Sequence, residues 1–500
     1  MPLTSRATLY ADRPALLTPE GSWTYAELDQ ASARVASALL DGGDDLREAR
    51  VAYQIVPGRA HVAVLWGIWR AGGIAVPLAL SYPAAELAHL LADSDPSRVV
   101  ADAASARSLA PLAAARQLPL LTPEQLLSAE PVQTPKRPAE RGALMIYTSG
   151  TTGRPKGVVL SHGNLAAQVV SLAMAWGWTP DDRILLTLPL HHVHGIVNVL
   201  CCALWTGARC EIHTGFDAVV TWQRLASNEL TLYMAVPTIY ARLIRAWEEA
   251  PDTTRTGWSA GCGGLRLMVS GSAALPVALF TRWRELTGHT LLERYGMSEI
   301  GMGLSNPLEG ERRPGFVGAP LPGVEVRLCD EAGLPTATGQ AGEIEVRGPT
   351  VFREYWRRPE ETRAAFHDGW FRTGDIGIVE DGSYRILGRR SVDILKTAGY
   401  KVSALEIENV LRDHPCVADC AVVGVPDPEW GETICVAVEA APGAVLPDLA
   451  GLKAFAGERL APQKVPRRLA LVPALPRNAM GKVVKGEVKA LFEAGGYVQR

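Results

Sequence analysis

Cysteine is scarce in this chain: there are eight in 500 residues, without regular spacing, and two of them, Cys201 and Cys202, are adjacent. So sparse a set excludes a disulfide framework and points to a reducing compartment. Net charge is nearly absent as well. Fifty Lys plus Arg against 53 Asp plus Glu leave −3. No global field therefore draws the chain to nucleic acid or to an anionic membrane, and an anionic ligand has to be held by a local site. The N-terminus, MPLTSRATLYADRPALL, lacks a long apolar stretch, which makes the cytoplasm the expected location. Internal repeats and low-complexity tracts are missing too, which excludes solenoids and disordered linkers. The run Ile184 to Ala208 is uncharged for 25 residues, but Pro189, His191, His192, His194 and Asn198 interrupt it. It reads as a strand, a polar loop and a buried helix, not a membrane span.

What remains is an ordinary globular composition, 47% hydrophobic and 21% charged, in a chain about three times the length of a typical ~150-residue domain. Two or more domains are expected. Through roughly residue 385, strand-length apolar runs alternate with amphipathic stretches, the pattern of an α/β chain. YAELDQASARVASALLDGG and HVAVLWGIWRAGG read as helices, ARVAYQIV and IAVPLAL as strands, and the glycine pairs at 42–43 and 72–73 as helix stops. From Gly310 onward, short strands with turn signals (GVEVRLCDEAGLP, GEIEVRGP, GSYRILGRR) predict a β-rich subdomain. After Gly388 the pattern resets to a small α+β unit, with ALEIENVLRDHP and LAGLKAFAGERL as helices and ADCAVVGVP and ETICVAVEA as strands. The expected fold is α/β: a large N-terminal domain of α/β subdomains plus a β-rich subdomain over 1–388, a hinge at 389–393, and a small mobile α+β domain over 394–500.

Four segments carry chemistry. In TSGTTGRPKG, a strand ending at Tyr147 opens into Thr148, Ser149, Gly150, Thr151, Thr152 and Gly153, with Lys156 and Gly157 behind them. Hydroxyls, glycines and one cation in so short a loop suit a phosphate. No Gly-Lys-Ser/Thr follows, so it is not the ordinary P-loop. LLERYGMSEIG offers two readings. Ser298 sits in a near match to the nucleophile elbow of serine hydrolases, spoiled by Ile300; alternatively Tyr295 gives an aromatic face, Ser298 a phosphate donor and Glu299 a hard oxygen for Mg²⁺. A helix cap would also fit that segment. In WFRTGDIG, Asp375 suits ribose hydroxyls, although Thr-Gly-Asp alone is a common turn. In PRNAMGKVVK, Lys482 follows a glycine, where a solvated surface lysine is the plain alternative.

These segments, together with GRRSVDILKTAGYKVSALEIE, occur in the order and approximate spacing of the adenylate-forming superfamily of acyl-CoA synthetases, luciferases and peptide-synthetase adenylation domains, and the resemblance spans nearly the whole chain. LPLHHVHGI, VSGSAALP, LLERYGMSEIGM and VFREYWRRPEET resemble most the malonyl-CoA and methylmalonyl-CoA synthetases. The resemblance implies an ATP-dependent ligase in which a carboxylate attacks the α-phosphorus of ATP and CoA then displaces AMP. A monocarboxylate or fatty acyl-CoA synthetase is the runner-up, a serine hydrolase using Ser298 the reading from another class.

Carried over residue by residue, the resemblance implies that Thr148 to Lys156 hold the β and γ phosphates, Ser298 the α-phosphate and Glu299 Mg²⁺. Ser270, Gly271, Ser272 and Ala273, with Tyr295 and Gly296, would enclose adenine; Asp375 and Arg389 would hold ribose. Lys482 would stabilise charge in adenylation, and Lys396, Gly399, Tyr400 and Lys401 would face CoA after rotation of the small domain. His194, Ser270, Met297 and Arg294 would line the acyl pocket. In most relatives the residue at position 294 is small, so a guanidinium there implies a distal carboxylate on a short dicarboxylate substrate; an ion pair with Glu293 is the structural alternative. GRRSVD is one residue longer than the GRxxD spacing of many relatives, which leaves open the hinge residue among Ser391, Val392 and Asp393 and the ribose ligand between Arg389 and Arg390. The three histidines of HHVH read as pocket wall before zinc, and Cys416 and Cys420 as buried core. Partners are expected to be small molecules (ATP, CoA, a short dicarboxylate), without nucleic acid or membrane, on a monomer or weak dimer.

Overall fold

The computed structural model describes residues 3–135, 137–148, 155–398, 400–445, 447–477 and 481–495. Helices begin where the sequence supplies caps. Thr24 and Glu27 form a reciprocal capping box at the head of Tyr25–Leu40, and Ser161 with Asn164 does the same for His162–Ala175. Gly72, at φ +80°, ends Arg59–Ala71 as its position predicts. At the other glycine pair the stop comes a residue sooner: Asp41 takes the left-handed cap at φ 46°.

Among the described residues the strands form four sheets. A seven-stranded one orders Glu354–Tyr355, Lys156–Ser161, Gly142–Thr148, Ile74–Pro77, Arg50–Gln54, Arg98–Ala101 and Leu120–Leu121. A nine-stranded one has a parallel centre in the order Leu292–Met297, Leu267–Ser270, Leu232–Ala235, Arg183–Leu186, Arg209–Ile212 and Pro14–Thr18. Leu267–Ser270 and Leu232–Ala235 are buried along their whole length, the reason such strands read as continuous apolar runs. The third sheet is the β-rich unit, built on Glu325–Cys329, Gly342–Arg347, Trp370–Glu380 and Ser383–Arg389. The fourth joins Tyr400–Ser403, Ile394–Thr397, Gly431–Ala440 and Val417–Asp427, with Arg468–Val472 parallel to Gly431–Ala440.

The apolar cores divide along the same line. Two clusters draw their buried residues from Ala7 to Phe371, and two others from Leu395 to Phe492. The chain is thus an α/β protein with a large N-terminal body and a smaller C-terminal one. The uncharged run resolves into the strand Arg183–Leu186, a π-helix His194–Cys201 and the helix Cys202–Thr206. Among the described residues no helix is long and apolar enough to cross a membrane. Cys420 is buried as expected, whereas Cys416, in the turn before Val417–Asp427, is only half-buried.

Candidate active site

Ligands of open α/β sheets gather at the carboxyl ends of parallel strands, and of the residues expected from the sequence at an acyl pocket, Ser270 and Met297 close such strands. Strand Leu267–Ser270 ends at Ser270, and the chain turns through Gly271 and Ser272; Ser272 is held in the left-handed region at φ +70° although it is not glycine, the kind of strain retained at working sites. The neighbouring strand runs parallel with Ser270 opposite Glu293, which lays Arg294 across Gly271. A Cβ at position 271 would lie 2.6 Å from the guanidinium carbon, so the guanidinium takes this place because residue 271 is glycine. Arg294 is 2% exposed. Its Nη2 donates to Ser272 Oγ at 3.3 Å, and that hydroxyl is 3.3 Å from Nδ1 of His194, on the π-helix.

The ion pair with Glu293 is not formed. Among the described residues, Arg294 Nε and Glu293 Oε2 are both buried without a partner, and Glu293 Oε1 instead accepts the Leu275 N–H at 3.0 Å. Burial raises the Glu293 carboxyl against the pull of Leu275 and Arg294, and burial lowers the guanidinium against the pull of Glu293. Burial thus works against the charge of both side chains, and the Arg294 guanidinium has no ion-pair partner among the described residues.

Next along the strand, the Tyr295 hydroxyl donates to Asp375 Oδ2 at 2.6 Å, and Arg389 Nε meets Asp375 Oδ1 at 2.9 Å. Arg390 turns away to Glu343 at 3.0 Å, so Arg389 is the arginine beside Asp375. Burial raises the Asp375 carboxyl, with Arg389 and Tyr295 opposing. Lys482, from the small body, enters the same cluster. Burial lowers its ammonium, Arg389 and Arg294 push the same way, and Asp375 opposes them; it also acts on the His192 imidazole, which burial pulls down to about 4.

Glu299 lies in the turn after Leu292–Met297, buried, with Oε1 accepting the Tyr355 hydroxyl at 2.9 Å and burial raising its carboxyl. The chain then continues as the antiparallel strand Gly301–Ser305. The segment is thus strand, turn and strand, with no helix to cap. It also lacks the strand-to-helix turn that a nucleophile elbow requires, which removes the hydrolase reading of Ser298. Ser298 and Met297 are half-buried at that turn. Thr148 and Lys156 face each other in register across two antiparallel strands. Lys156 Nζ pairs with Glu361 and stands 5.3 Å over the Tyr355 ring. Ser149 to Gly153 and Gly399 lie outside the described residues.

Lys396, Tyr400 and Lys401 are exposed on the paired strands Ile394–Thr397 and Tyr400–Ser403, apart from the buried cluster, with Lys401 held by Glu331 at 2.6 Å. Three contributors escaped the sequence reading: Tyr355 on Glu299, Glu361 on Lys156, and Glu432, whose carboxylate accepts the Lys396 N–H at 2.6 Å while the Trp430 carbonyl accepts that of Ala398 at 2.9 Å. Each of these partners is 30 or more residues away in sequence, beyond the reach of a local pattern.

Glu299 is a hard oxygen donor, and among the described residues no three acidic, His or Cys side chains form a metal cage. Tyr355 stands between this carboxylate and Lys156, and a single carboxylate fits Mg²⁺, which binds mostly through phosphate and water. The chain is similar to known proteins along nearly its whole length. It is 46% identical to the mitochondrial malonate–CoA ligase ACSF3 of Mus musculus, over 99% of this chain and 91% of that protein. Its fold superposes on the crystal structure of ATP-bound MatB from Rhodopseudomonas palustris with a TM-score of 0.91 at 36% identity, covering 99% of both chains; the apo crystal structure of MatB gives 0.81 at 35% identity and the same coverage. Residues 3–356 match the family described as AMP-binding enzyme, and residues 406–482 match its C-terminal domain. The chain belongs to the AMP-binding enzyme family.

Proposed function

We propose that the protein is an AMP-forming malonate–CoA ligase, which also takes methylmalonate. Arg294 carries this reading. A buried guanidinium beside Ser272 and His194, with no ion pair among the described residues, supports a substrate that brings its own second carboxylate. Lys482 and Arg389 stand in the same field as Arg294, which suits a molecule short enough for one carboxylate to meet Arg294 while the other meets the α-phosphate.

In the first step a carboxylate oxygen of malonate bonds to the α-phosphorus and the bond to pyrophosphate breaks. Lys482 offsets the charge gathered on the attacking carboxylate and the phosphate. Tyr295, Asp375 and Arg389 hold the nucleoside, Ser270 to Ala273 and Gly296 wall its base, Ser298 donates to the α-phosphate, and Thr148 to Lys156 hold the outer phosphates, with Lys156 exchanging Glu361 for them. Glu299 would hold Mg²⁺, which supplies neutralisation of the triphosphate. In the second step the CoA sulfur attacks the acyl carbon and AMP leaves as the carbonyl–oxygen bond breaks. For this step residues 394–500 turn about 389–393 and bring Lys396 to Lys401 to the adenylate, a loop that Glu432 and Trp430 brace. All eight cysteines are free, which suits a reducing compartment such as the cytoplasm. The test is pyrophosphate release with ATP and CoA across a panel of carboxylic acids. Malonate and methylmalonate are expected to lead, succinate to follow weakly, and acetate or propionate to fall behind by up to ~10⁴. Preference for octanoate over malonate would sink the proposal.

A further inference from the structure

The stretch bearing Lys482 is pinned at both ends by charge. On one side Arg477 Nη1 donates to the Gly481 carbonyl at 2.9 Å while its Nη2 reaches Asp419 at 2.5 Å. On the other, the Val484 N–H donates to the Pro476 carbonyl at 2.8 Å, and Lys485 opens the helix Lys485–Glu493. The Lys485 side chain is 12% exposed, and its ammonium lies between two carboxylates, Asp393 Oδ1 at 2.5 Å and Glu408 Oε1 at 2.7 Å. Burial works against that ammonium, yet Glu408 and Asp393 hold it above the ordinary lysine value. Glu408 also accepts the Val422 N–H at 2.8 Å and meets Arg412 at 3.4 Å, and Arg412 continues to Asp419 at 2.8 Å. The chain of charges thus closes on itself around the lysine stretch.

Its other end is the junction between the bodies. Arg390 belongs to the large body: its guanidinium is on Glu343 and its N–H on the Gly374 carbonyl at 2.9 Å. Asp393 belongs to the small one, through Lys485 and through its carbonyl, which accepts the Ala404 N–H at 2.7 Å. Ser391 and Val392 are left between them. Asp393 nevertheless reaches back, for its Oδ2 accepts the Arg389 N–H at 3.0 Å and its own N–H donates to the Arg389 carbonyl at 2.7 Å. Gly388 permits this approach: at φ +130°, a Cβ there would lie 2.5 Å from that of Asp393.

We infer that Lys485 is a positioning residue that ties the pivot Ser391–Val392, through Asp393, to the stretch carrying Lys482, so that Lys482 reaches the reaction site as part of one rigid unit. Lys485 lies three positions after Lys482, at most about 10 Å of chain. An error at the anchor therefore passes almost undiminished to the ammonium that meets the α-phosphate. The inference rests on the proposed ligase activity.

Lys485→Met keeps the side chain's length and removes its charge. It is expected to slow acyl-adenylate formation ~10²-fold, the scale for a group about 1 Å out of place, with KM for ATP and malonate near wild type and thioester formation from supplied malonyl-adenylate largely spared. Lys485→Arg, which can still hold two carboxylates, should recover most of the loss. Asp393→Asn, which leaves Lys485 on Glu408, should slow the same step ~10-fold, and the double variant should be no slower than Lys485→Met, because both act through one bond. Equal loss in both half-reactions, full adenylation by Lys485→Met, or additive effects would overturn the inference. Should Lys485→Met fail to fold, adenylation by Asp393→Asn decides: slowed supports the anchor, unchanged removes it. Wild-type protein without malonate-dependent pyrophosphate release would instead refute the ligase activity itself.

Discussion

The sharpest consequence of the site is that Arg294→Met should change what the enzyme accepts and leave its stability intact. Methionine preserves much of the side chain's length but offers no charge and no donors. With malonate bound, the distal carboxylate would be enclosed beside Ser272 and His194 without a counter-ion. Leaving one member of a buried hydrogen-bonded charge pair unpaired costs about 2–5 kcal/mol, which at 1.36 kcal/mol per factor of ten is roughly 30- to 5,000-fold in kcat/KM. Propionate or butyrate should show the opposite sign, because the variant no longer buries an unmatched cation next to an apolar chain. The assay is pyrophosphate release with malonate and with butyrate at saturating ATP, where KM for ATP should stay near wild type.

Stability separates this account from a structural one. If Arg294 were half of a buried ion pair, removing it would cost about 3–5 kcal/mol. The geometry says otherwise, since Glu293 is turned to the Leu275 N–H and its carboxyl is pushed up by burial. The thermal midpoint of Arg294→Met should hold or rise. A large fall in the midpoint, or malonate kinetics unchanged by the substitution, would refute the reasoning and return the protein to the monocarboxylate synthetases.

Lys482→Ala should slow adenylation by ~10² or more, the scale for losing a preorganised charge, while thioester formation from supplied adenylate survives; equal loss in both would mark the lysine as structural. Because burial, Arg389 and Arg294 lower the Lys482 pKa, its proton leaves as pH rises through a value below that of an ordinary lysine. Single-turnover adenylation should therefore fall on the alkaline side short of about pH 10.4, and a rate still flat at that pH would contradict the cluster. Glu432→Ala should act on the other step, weakening thioester formation and sparing pyrophosphate release, since Glu432 holds the Lys396 N–H of the loop assigned to CoA; a defect in adenylation alone would count against that assignment.

How much of this was legible in the sequence depends on range. The alternation of apolar and amphipathic runs gives the α/β body, the change of texture near Gly388 gives the small one, and the caps and glycines give helix ends to within a residue or two, because all of these are local. Arg294 was legible as an anomaly, a guanidinium where a small residue is usual, but its state was not: that depends on Gly271 and Ser272, some 20 residues upstream, and on Glu293 turning elsewhere. Which of Arg389 and Arg390 stands beside Asp375 is decided by side-chain direction at adjacent positions, toward Asp375 or Glu343, which no spacing encodes. The π-helix His194–Cys201 gave no periodic signal, since its residues are all buried.

The charges around Lys482 also bear on how one site serves two reactions. Arg389 and Arg294 both work against the Lys482 proton, with Asp375 on the other side, so docking the small body adds a cation to a place that already holds two. A triphosphate and a dicarboxylate bring the missing negative charge, and by linkage whatever binds better to the docked arrangement also favours docking. After adenylation that balance shifts. Pyrophosphate carries charge away and the reacting carboxylate becomes part of a mixed anhydride, while the distal carboxylate continues to match Arg294. Lys482 is the cation of the three that the small body carries, and on the proposed cycle that body turns away for the second step. Asp393 and Lys485 make its departure concerted: because the lysine stretch is tied to the junction, the repulsion felt at Nζ acts on the whole small body and not on one side chain alone.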